Sequence, residues 1–168
     1  MAEGEMSNPG VRFPPPLLFV GGLGLGALLH RLRPLPLWPG ERPVAAVAVA
    51  WALAAAGLAC MLWGAATFRR ARTAIIPNQP ASRLVFAGPY RFTRNPMYLG
   101  LSVLYLGLTL WLDTVWALLL FPVVIAVLRR AVIDREERYL EHAFGAEYGE
   151  YRRRVPRWIG PRGPGPLS

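Results

Sequence analysis

The sequence of 168 residues contains no lysine, only one cysteine and only two histidines. A lone cysteine, Cys60, cannot form an intrachain disulfide, so a disulfide-framed secreted fold is excluded. Together with His30 and His142, Cys60 supplies too few ligands for a structural zinc site, and we expect no bound metal. Charged residues are also scarce, at 17% of the chain, where an average soluble domain has about 25%.

Apolar residues are correspondingly abundant, at 54% of the chain. The net charge is +9, and all nineteen basic residues are arginine. A basic chain is typical of proteins that bind nucleic acid or an anionic membrane surface. Here the arginines lie between long apolar runs, so we expect membrane lipids as partners and no nucleic acid.

Two apolar runs in the first half of the chain predict membrane spans. Residues 14–30 are glycine-rich, which permits close helix contacts in lipid, but this run is at the short limit for a span. Residues 44–68 carry no charge, and a helix of this length is about 37 Å long, enough to cross a hydrocarbon layer of roughly 30 Å.

A third apolar block, residues 97–128, is interrupted only near its middle by Asp113 and Thr114. One straight helix of this length would be about 48 Å long, which exceeds the bilayer thickness. A carboxylate at the bilayer centre also costs roughly 2.5–3.5 kcal/mol. The block therefore predicts a helical hairpin that turns at residues 112–114 and places Asp113 at the far membrane face.

The predicted fold is an all-α integral membrane protein of about four transmembrane helices in one domain. Six arginines and no acid lie in residues 69–96, and nine arginines lie in residues 129–168. The positive-inside rule then places both regions, and with four spans both termini, in the cytoplasm. Residues 129–158 predict cytoplasmic helices interrupted at Gly145, and residues 1–13 and 159–168 predict flexible ends.

Polar side chains and turn residues are concentrated at residues 88–100, immediately before the predicted hairpin. An interfacial anchor explains Arg91, Arg94 and the tyrosines, but it does not explain Asn95-Pro96, because proline removes a donor and holds the preceding residue extended. A second cluster, residues 134–138, follows the hairpin. It is either a solvated helix face or a site in which Glu136 or Glu137 turns inward. Since a hairpin returns to the face it left, we expect the two clusters to be neighbours.

Residues 88–100 resemble the signature G-x-Y-x-x-x-R-[HN]-P-x-Y-x-G, and residues 136–156 resemble its partner E-E-x-x-L-x-x-x-F-G-x-x-Y-x-x-Y-x-x-x-V-P. Together they resemble the isoprenylcysteine carboxyl methyltransferase family and its bacterial relatives, which grade into phospholipid methyltransferases. The resemblance covers roughly residues 80–158. It implies an enzyme of the bacterial inner membrane that uses S-adenosylmethionine as methyl donor and a lipid-like acceptor.

The resemblance also implies roles for individual residues. Arg130 is the implied catalytic residue that faces the acceptor, and Glu137 is a second catalytic candidate as the base that an amine acceptor would need. The implied cofactor-binding residues are Leu84, Val85, Tyr90, Asn95, Pro96, Met97, Tyr98 and Glu136.

Two positions depart from the family pattern: Asn95 replaces a histidine of the eukaryotic enzymes, and Val132 replaces an arginine. A carboxylate acceptor of isoprenylcysteine type needs no general base, whereas an amine acceptor such as phosphatidylethanolamine needs Glu136 or Glu137 to take a proton. We expect the carboxylate, because arginines surround the predicted site. An NADPH-dependent sterol-reductase-like protein and a non-catalytic membrane scaffold are the alternatives, and the oligomeric state is not predicted.

The predicted topology is testable by cysteine labelling in a chain that lacks Cys60. A cysteine at position 113 should react with an impermeant reagent added from outside the cell, and a cysteine at position 88 should not. Labelling of position 88 from that side would contradict the predicted orientation.

Overall fold

The computed structural model describes residue 10 and residues 13–71 and 84–160. The predicted flexible ends and the middle of the loop at residues 69–96 lie largely outside these ranges, so those predictions stay open. Within the described ranges the chain is helical and contains no strand, which confirms the all-α prediction.

Five α-helices account for most of the described chain. They are α1 (Pro16–Leu32), α2 (Val44–Arg70), α3 (Pro96–Leu112), α4 (Val115–Leu128) and α5 (Asp134–Arg154). A 3₁₀ turn (Gly88–Arg91) precedes α3, and a π turn (Arg129–Ile133) joins α4 to α5. Two helical segments are long and apolar enough to cross a membrane: α2, and the continuous run Val115–Arg154 that begins with α4. Helices α1 and α3 are shorter apolar helices of 17 residues each.

The predicted hairpin turns where the sequence indicated, because Asp113 ends α3 in the left-handed conformation with φ of 53°. Its Oδ1 accepts hydrogen bonds from the backbone N–H groups of Leu37 (2.8 Å) and Trp38 (3.2 Å) in the α1–α2 loop. Thr114 then caps α4 by accepting from the N–H of Trp116. The α1–α2 loop and the α3–α4 turn therefore meet at one end of the helices, which we name the turn end.

Helices α2 and α3 pack with their backbones almost in contact. A Cβ atom at Gly57 would lie 2.5 Å from the Leu104 nitrogen, and one at Gly107 would lie 2.6 Å from the Ala54 nitrogen. Gly100 faces Gly57 from the other side of this seam. Small residues allow such an approach, and close packing is the main attraction between helices in lipid. Glycine along the seam thus holds α2 in place.

Helix α1 packs against α4 on the opposite side of α3. Gly26 lies against the backbone of Ala117, and Tyr105 of α3 donates a hydrogen bond of 2.7 Å from its hydroxyl to the Ala117 carbonyl. Phe19 and Leu128 are buried in the same apolar core. This core fixes where α4 ends, and hence where the chain that follows it begins.

The helical chain after α4 is altered at two points, a π turn and a kink at Gly145. A π turn accommodates an additional residue relative to an α-helical turn, so it rotates the residues of α5 relative to those of α4. Gly145 then interrupts α5 with φ of 49°, as the sequence predicted. These features lay α5 against the start of α3 at the end opposite the turn end, which we name the α5 end.

The glycine seam predicts a large difference between two Gly→Ala variants. Gly57→Ala should lower the thermal midpoint in detergent by several degrees, because overpacking a close contact typically costs about 1–3 kcal/mol. Gly24→Ala is the matched control, since a Cβ atom there meets nothing within 4 Å and alanine favours a helix. Equal midpoints for the two variants would contradict the seam.

Candidate active site

The two polar clusters of the sequence meet at the α5 end through a hydrogen bond between tyrosine and glutamate. The hydroxyl of Tyr98, in the first turn of α3, donates to Oε1 of Glu136 at 2.7 Å. Pro96 opens α3 at a position where its missing N–H is not needed, and this start places Tyr98 on the face toward α5. The hairpin therefore brings the clusters together as predicted.

Glu136 lies in a poorly hydrated position that favours its neutral form. Its pKa is raised from 4.5 to about 7: burial is the main cause, the hydrogen bond from Tyr98 acts in the opposite direction, and the negative charge of Glu137 adds to the rise. No ion pair is formed by Glu136 among the described residues. A carboxyl group that titrates near neutral pH can accept or release a proton during a reaction.

The hydroxyl of Tyr90 is buried and has no hydrogen-bond partner among the described residues. Its ring packs edge-on against Phe68 with centroids 4.9 Å apart. A Cβ atom at Gly64 would lie 3.6 Å from this hydroxyl and 2.8 Å from Cγ of Met97. Because an unpaired buried hydroxyl is costly, Tyr90 offers a hydrogen-bonding group for a polar atom that comes to lie beside it.

Gly88 allows Tyr90 to reach this position. It has φ of +59°, and a Cβ atom there would lie 2.6 Å from Oγ1 of Thr67 in α2. A side chain at this position would be strained by the positive φ and would clash with Thr67, so glycine is required. Gly88 starts the 3₁₀ turn that carries Tyr90. Loss of hydration raises the pKa of the Tyr90 hydroxyl, with contributions from Tyr151 and Glu136. Tyr90 thus stays neutral and can donate a hydrogen bond.

Glu137, the neighbour of Glu136, is held by two arginines. Its Oε1 accepts from Nη1 of Arg94 at 2.8 Å and from Nε of Arg157 at 3.0 Å, and its Oε2 accepts from Nη2 of Arg157. Arg157 also pairs with Asp134 at 3.1 Å, and Arg94 donates to the Tyr148 hydroxyl. The Glu137 carboxylate is therefore fully engaged, in contrast to Glu136.

The segment after α5, residues 155–158, packs against the residues that lead into α3, and we name it the C-terminal strap. The carbonyl of Arg157 accepts from Oγ1 of Thr93 at 2.9 Å and from Nδ2 of Asn95 at 3.1 Å. The N–H of Arg94 donates to the carbonyl of Pro156 at 2.9 Å. Three consecutive residues before α3 are thus each bonded to the strap.

An aromatic cluster supports the strap and the 3₁₀ turn. Tyr148, Tyr151 and Val155 are buried together, and Leu84 and Phe86 pack against them. The Tyr151 hydroxyl donates to the carbonyl of Tyr90 at 2.8 Å. Leu84 therefore contacts the aromatic residues of α5.

Arg130 lies on an outward surface of the helix rather than beside Glu136 or Glu137. It is exposed and forms no hydrogen bond or ion pair with the described chain. It borders an apolar groove of about 490 Å³ on the outer face of α4. The other lining residues are Pro122, Val123, Ala126, Val127 and Ala131.

The structure thus sorts the residues implied by the resemblance into several environments. Tyr90, Met97, Tyr98 and Glu136 converge on one region. The side chain of Asn95 is engaged by the strap, Val85 is buried, and the carbonyl of Pro96 accepts from Sγ of Cys60 at 3.2 Å. Three others lie elsewhere. Leu84 packs in the aromatic cluster, Glu137 belongs to the ion-pair network, and Arg130 borders the outer groove.

The sequence predicts only an interfacial anchor for Arg94 and no role for Arg157 or Gly64. Arg94 stands in the first motif, and its position as the arginine of R-[HN]-P was the available signal. Arg157 follows the second motif by one residue and had no signal of its own. The sequence identifies Gly64 only as part of a span, since nothing in an apolar run indicates which glycine faces a site.

The apolar helices and the polar cluster at the α5 end are typical of the class of small helical membrane proteins. The sequence model described as phospholipid methyltransferase matches residues 45–147, so the chain belongs to the phospholipid methyltransferase family. The match includes Tyr90, Tyr98, Glu136 and Glu137, and it ends before the C-terminal strap.

Individual relatives agree with this assignment. An uncharacterized protein of Haemophilus influenzae is 44% identical over 63 residues, which is 38% of this chain and all of that protein. Protein-S-isoprenylcysteine O-methyltransferase of Schizosaccharomyces pombe is 37% identical over 76 residues, covering 45% of this chain and 32% of that enzyme. Protein-S-isoprenylcysteine O-methyltransferase B of Arabidopsis thaliana is 35% identical over 84 residues, covering 50% and 43%.

The alignments therefore span less than half the length of these two methyltransferases. No solved structure matches the chain. Family membership and the apolar helices support a membrane methyltransferase.

Proposed function

We propose that this protein transfers a methyl group from S-adenosylmethionine to a lipid-like acceptor at the membrane face. The observation that carries the proposal is the hydrogen bond of 2.7 Å between Tyr98 and Glu136, which joins the two motifs beside the unpartnered hydroxyl of Tyr90. In the proposed topology α1 to α4 span the membrane, and the α5 end and both termini are cytoplasmic. The surrounding membrane is then the bacterial inner membrane.

The residues at this site fit the chemistry of S-adenosylmethionine. Its ribose hydroxyls need acceptors such as the carboxyl oxygens of Glu136, and its other polar groups can meet the buried Tyr90 hydroxyl. Its adenine and its sulfonium need apolar and aromatic surfaces, which Met97, Phe68 and the tyrosine rings supply. The bound cofactor supplies an electrophilic methyl group attached to a positively charged sulfur.

The chain's own contribution is mainly binding and orientation. In-line displacement requires donor and acceptor to be held in one geometry, and such positioning supplies much of the acceleration. Tyr98 fixes the Glu136 carboxyl by its hydrogen bond, and Gly88 fixes the 3₁₀ turn that presents Tyr90. The close seam between α2 and α3 keeps Gly64 and Met97 beside Tyr90 and excludes water from that side.

A carboxylate acceptor of isoprenylcysteine type is our first candidate. The outer apolar groove can hold a lipid tail, and the exposed Arg130 at its edge can attract an anionic headgroup toward this side of the helices. The named relatives from Schizosaccharomyces pombe and Arabidopsis thaliana support this choice. A carboxylate is already ionised at neutral pH, so no general base is needed.

An amine lipid of the phosphatidylethanolamine type is the second candidate, and the environment of Glu136 favours it. A carboxyl group with a pKa of about 7 is suited to take the proton that an ammonium group must lose. Glu137 is less suited to this step because two arginines hold it. In this candidate Glu136 is the general base.

Cofactor binding should depend on the Tyr98–Glu136 pair. Tyr98→Phe and Glu136→Gln should each weaken S-adenosylmethionine binding about 5- to 150-fold, as expected when a buried polar group costing about 1–3 kcal/mol is left unpaired. Isothermal titration in detergent micelles measures this change. Glu147→Gln, an exposed substitution on the same helix, is the control, and wild-type affinity in both site variants would refute the assignment.

The acceptor can be identified by product chemistry and by pH together. With tritiated S-adenosylmethionine, we expect base-labile counts in a prenylated cysteine carboxylate. We also expect the rate to fall above about pH 7, because Glu136 then becomes charged and repels an anionic acceptor. Glu136→Gln should remove this fall.

Stable counts in phosphatidylethanolamine would instead identify the amine acceptor. The pH dependence would then have the opposite sign. Below about pH 7 Glu136 is protonated and cannot accept a proton, so the rate would fall toward acid. Absence of transfer to either acceptor, with cofactor binding intact, would contradict both candidates.

A further inference from the structure

The C-terminal strap lies outside residues 45–147, the part of the chain that matches the family, yet it is hydrogen-bonded both to the start of α3 and to α5. Its backbone accepts three hydrogen bonds from residues 93–95, and its single arginine side chain reaches two carboxylates of α5. Two elements that are distant in sequence, the start of α3 and the first turn of α5, are thus held by one residue, Arg157.

We infer that Arg157 is a positioning residue that fixes α5 against α3, keeps the Glu136 carboxyl on Tyr98, and controls the charge that Glu136 faces. The role assigned to Glu136 rests on the proposed function, whereas the contacts of Arg157 do not. Arg157 would then complete the active site from just outside the two motifs.

The backbone contacts explain how the strap positions α3. The Arg157 carbonyl accepts from both Thr93 and Asn95, so movement of the strap displaces the residues that lead directly into Pro96. Two residues after Pro96 stands Tyr98, whose hydroxyl holds Glu136. Trp158 packs against the main apolar core, and Val155 is buried in the aromatic cluster, so the strap is anchored at both ends.

The side-chain contacts explain how Arg157 acts on α5. Its guanidinium binds both oxygens of Glu137 and also pairs with Asp134 at 3.1 Å. A fork that holds two carboxylates one turn apart fixes the rotation of that turn, and Glu136 lies between them in sequence. The direction of the Glu136 side chain toward Tyr98 follows from this rotation.

Arg157 also sets the electrostatic environment of Glu136. The groups that face Glu136 are Tyr98 of α3, Tyr90 of the 3₁₀ turn and Glu137 of its own helix. Behind Glu137 stand Arg94 and Arg157, which offset its negative charge, and Asp134, which adds another. Removing Arg157 leaves Arg94 alone against two carboxylates, so the neutral form of Glu136 becomes more favourable.

The test is a titration of Glu136 by ¹³C NMR in detergent micelles, without cofactor or acceptor. The protein is labelled at the glutamate carboxyl carbons, and the Glu136 signal is identified by its loss in Glu136→Gln. Arg157→Gln should move the midpoint upward by about 0.5–1 pH unit, which is less than the 1–3 units typical of an opposite charge in direct contact. Arg157→Lys keeps the charge, so its Glu136 midpoint should lie close to that of the wild-type protein.

Arg153→Gln is the matched control, because it removes the same charge from an exposed position at the end of α5. An unchanged midpoint in Arg157→Gln, or an equal shift in Arg153→Gln, would overturn the inference. If Arg157→Gln does not fold, Thr93→Val decides, since it removes the hydroxyl that donates to the Arg157 carbonyl of the strap without changing charge. It should shift the midpoint in the same direction by less, and no shift would overturn the inference.

This design separates the inference from the proposed function. Failure of the wild-type protein to bind S-adenosylmethionine or to transfer methyl groups would refute the function and leave the titration unaffected. Normal transfer with an unchanged titration in Arg157→Gln would refute the positioning role alone. In methyl-transfer assays the same variant should shift the pH dependence of the rate as well as lower it, whereas a purely structural defect lowers the rate at every pH.

Discussion

The start of α3 depends on the binding of Glu137 by Arg94 and Arg157. A carboxylate withdrawn from water is strongly destabilising unless it is paired and hydrogen-bonded, and these two arginines satisfy both of its oxygens. Since Arg94 precedes α3, Glu137 belongs to α5 and Arg157 belongs to the strap, one buried acid joins three segments. Because the pairing can be satisfied only when all three are in place, it makes their arrangement specific.

The adjacent acid has the opposite environment, and this contrast creates the site. Glu136 lies next to Glu137 in sequence but receives a neutral hydroxyl from Tyr98 instead of a guanidinium. Without a positive partner, its pKa is raised to about 7 by burial. Two neighbouring carboxyl groups thus divide into one that stabilises the fold and one that can change its protonation state near neutral pH.

The membrane helices serve mainly to hold this polar assembly at one end. The glycine seam between α2 and α3 brings Gly64 of α2 close to Met97 and Tyr90, and the cap of Asp113 at the turn end fixes the hairpin. The two ends are related because a shift of α3 along the seam would move Tyr98 away from Glu136. Backbone contacts in lipid allow little sliding, since the helices interlock through small residues.

The sequence by itself determined the helices and their order. The hairpin was predictable because the apolar block is too long for one span and because Asp113 would be costly at the centre of a bilayer. The break in α5 was predictable because glycine at position 145 favours a local helix end. The motifs also predicted that the two polar clusters would meet.

Only the tertiary structure decided which acid faces the site and which is paired. The π turn rotates α5 relative to α4, so the helical periodicity of the sequence could not be extended from Arg130 to Glu136. Arg157 follows α5 and reaches Glu137 across a chain reversal that no local pattern encodes. Ion pairing between distant segments depends on distances that folding alone sets, and this is why the roles of Glu136 and Glu137 could be distinguished only in three dimensions.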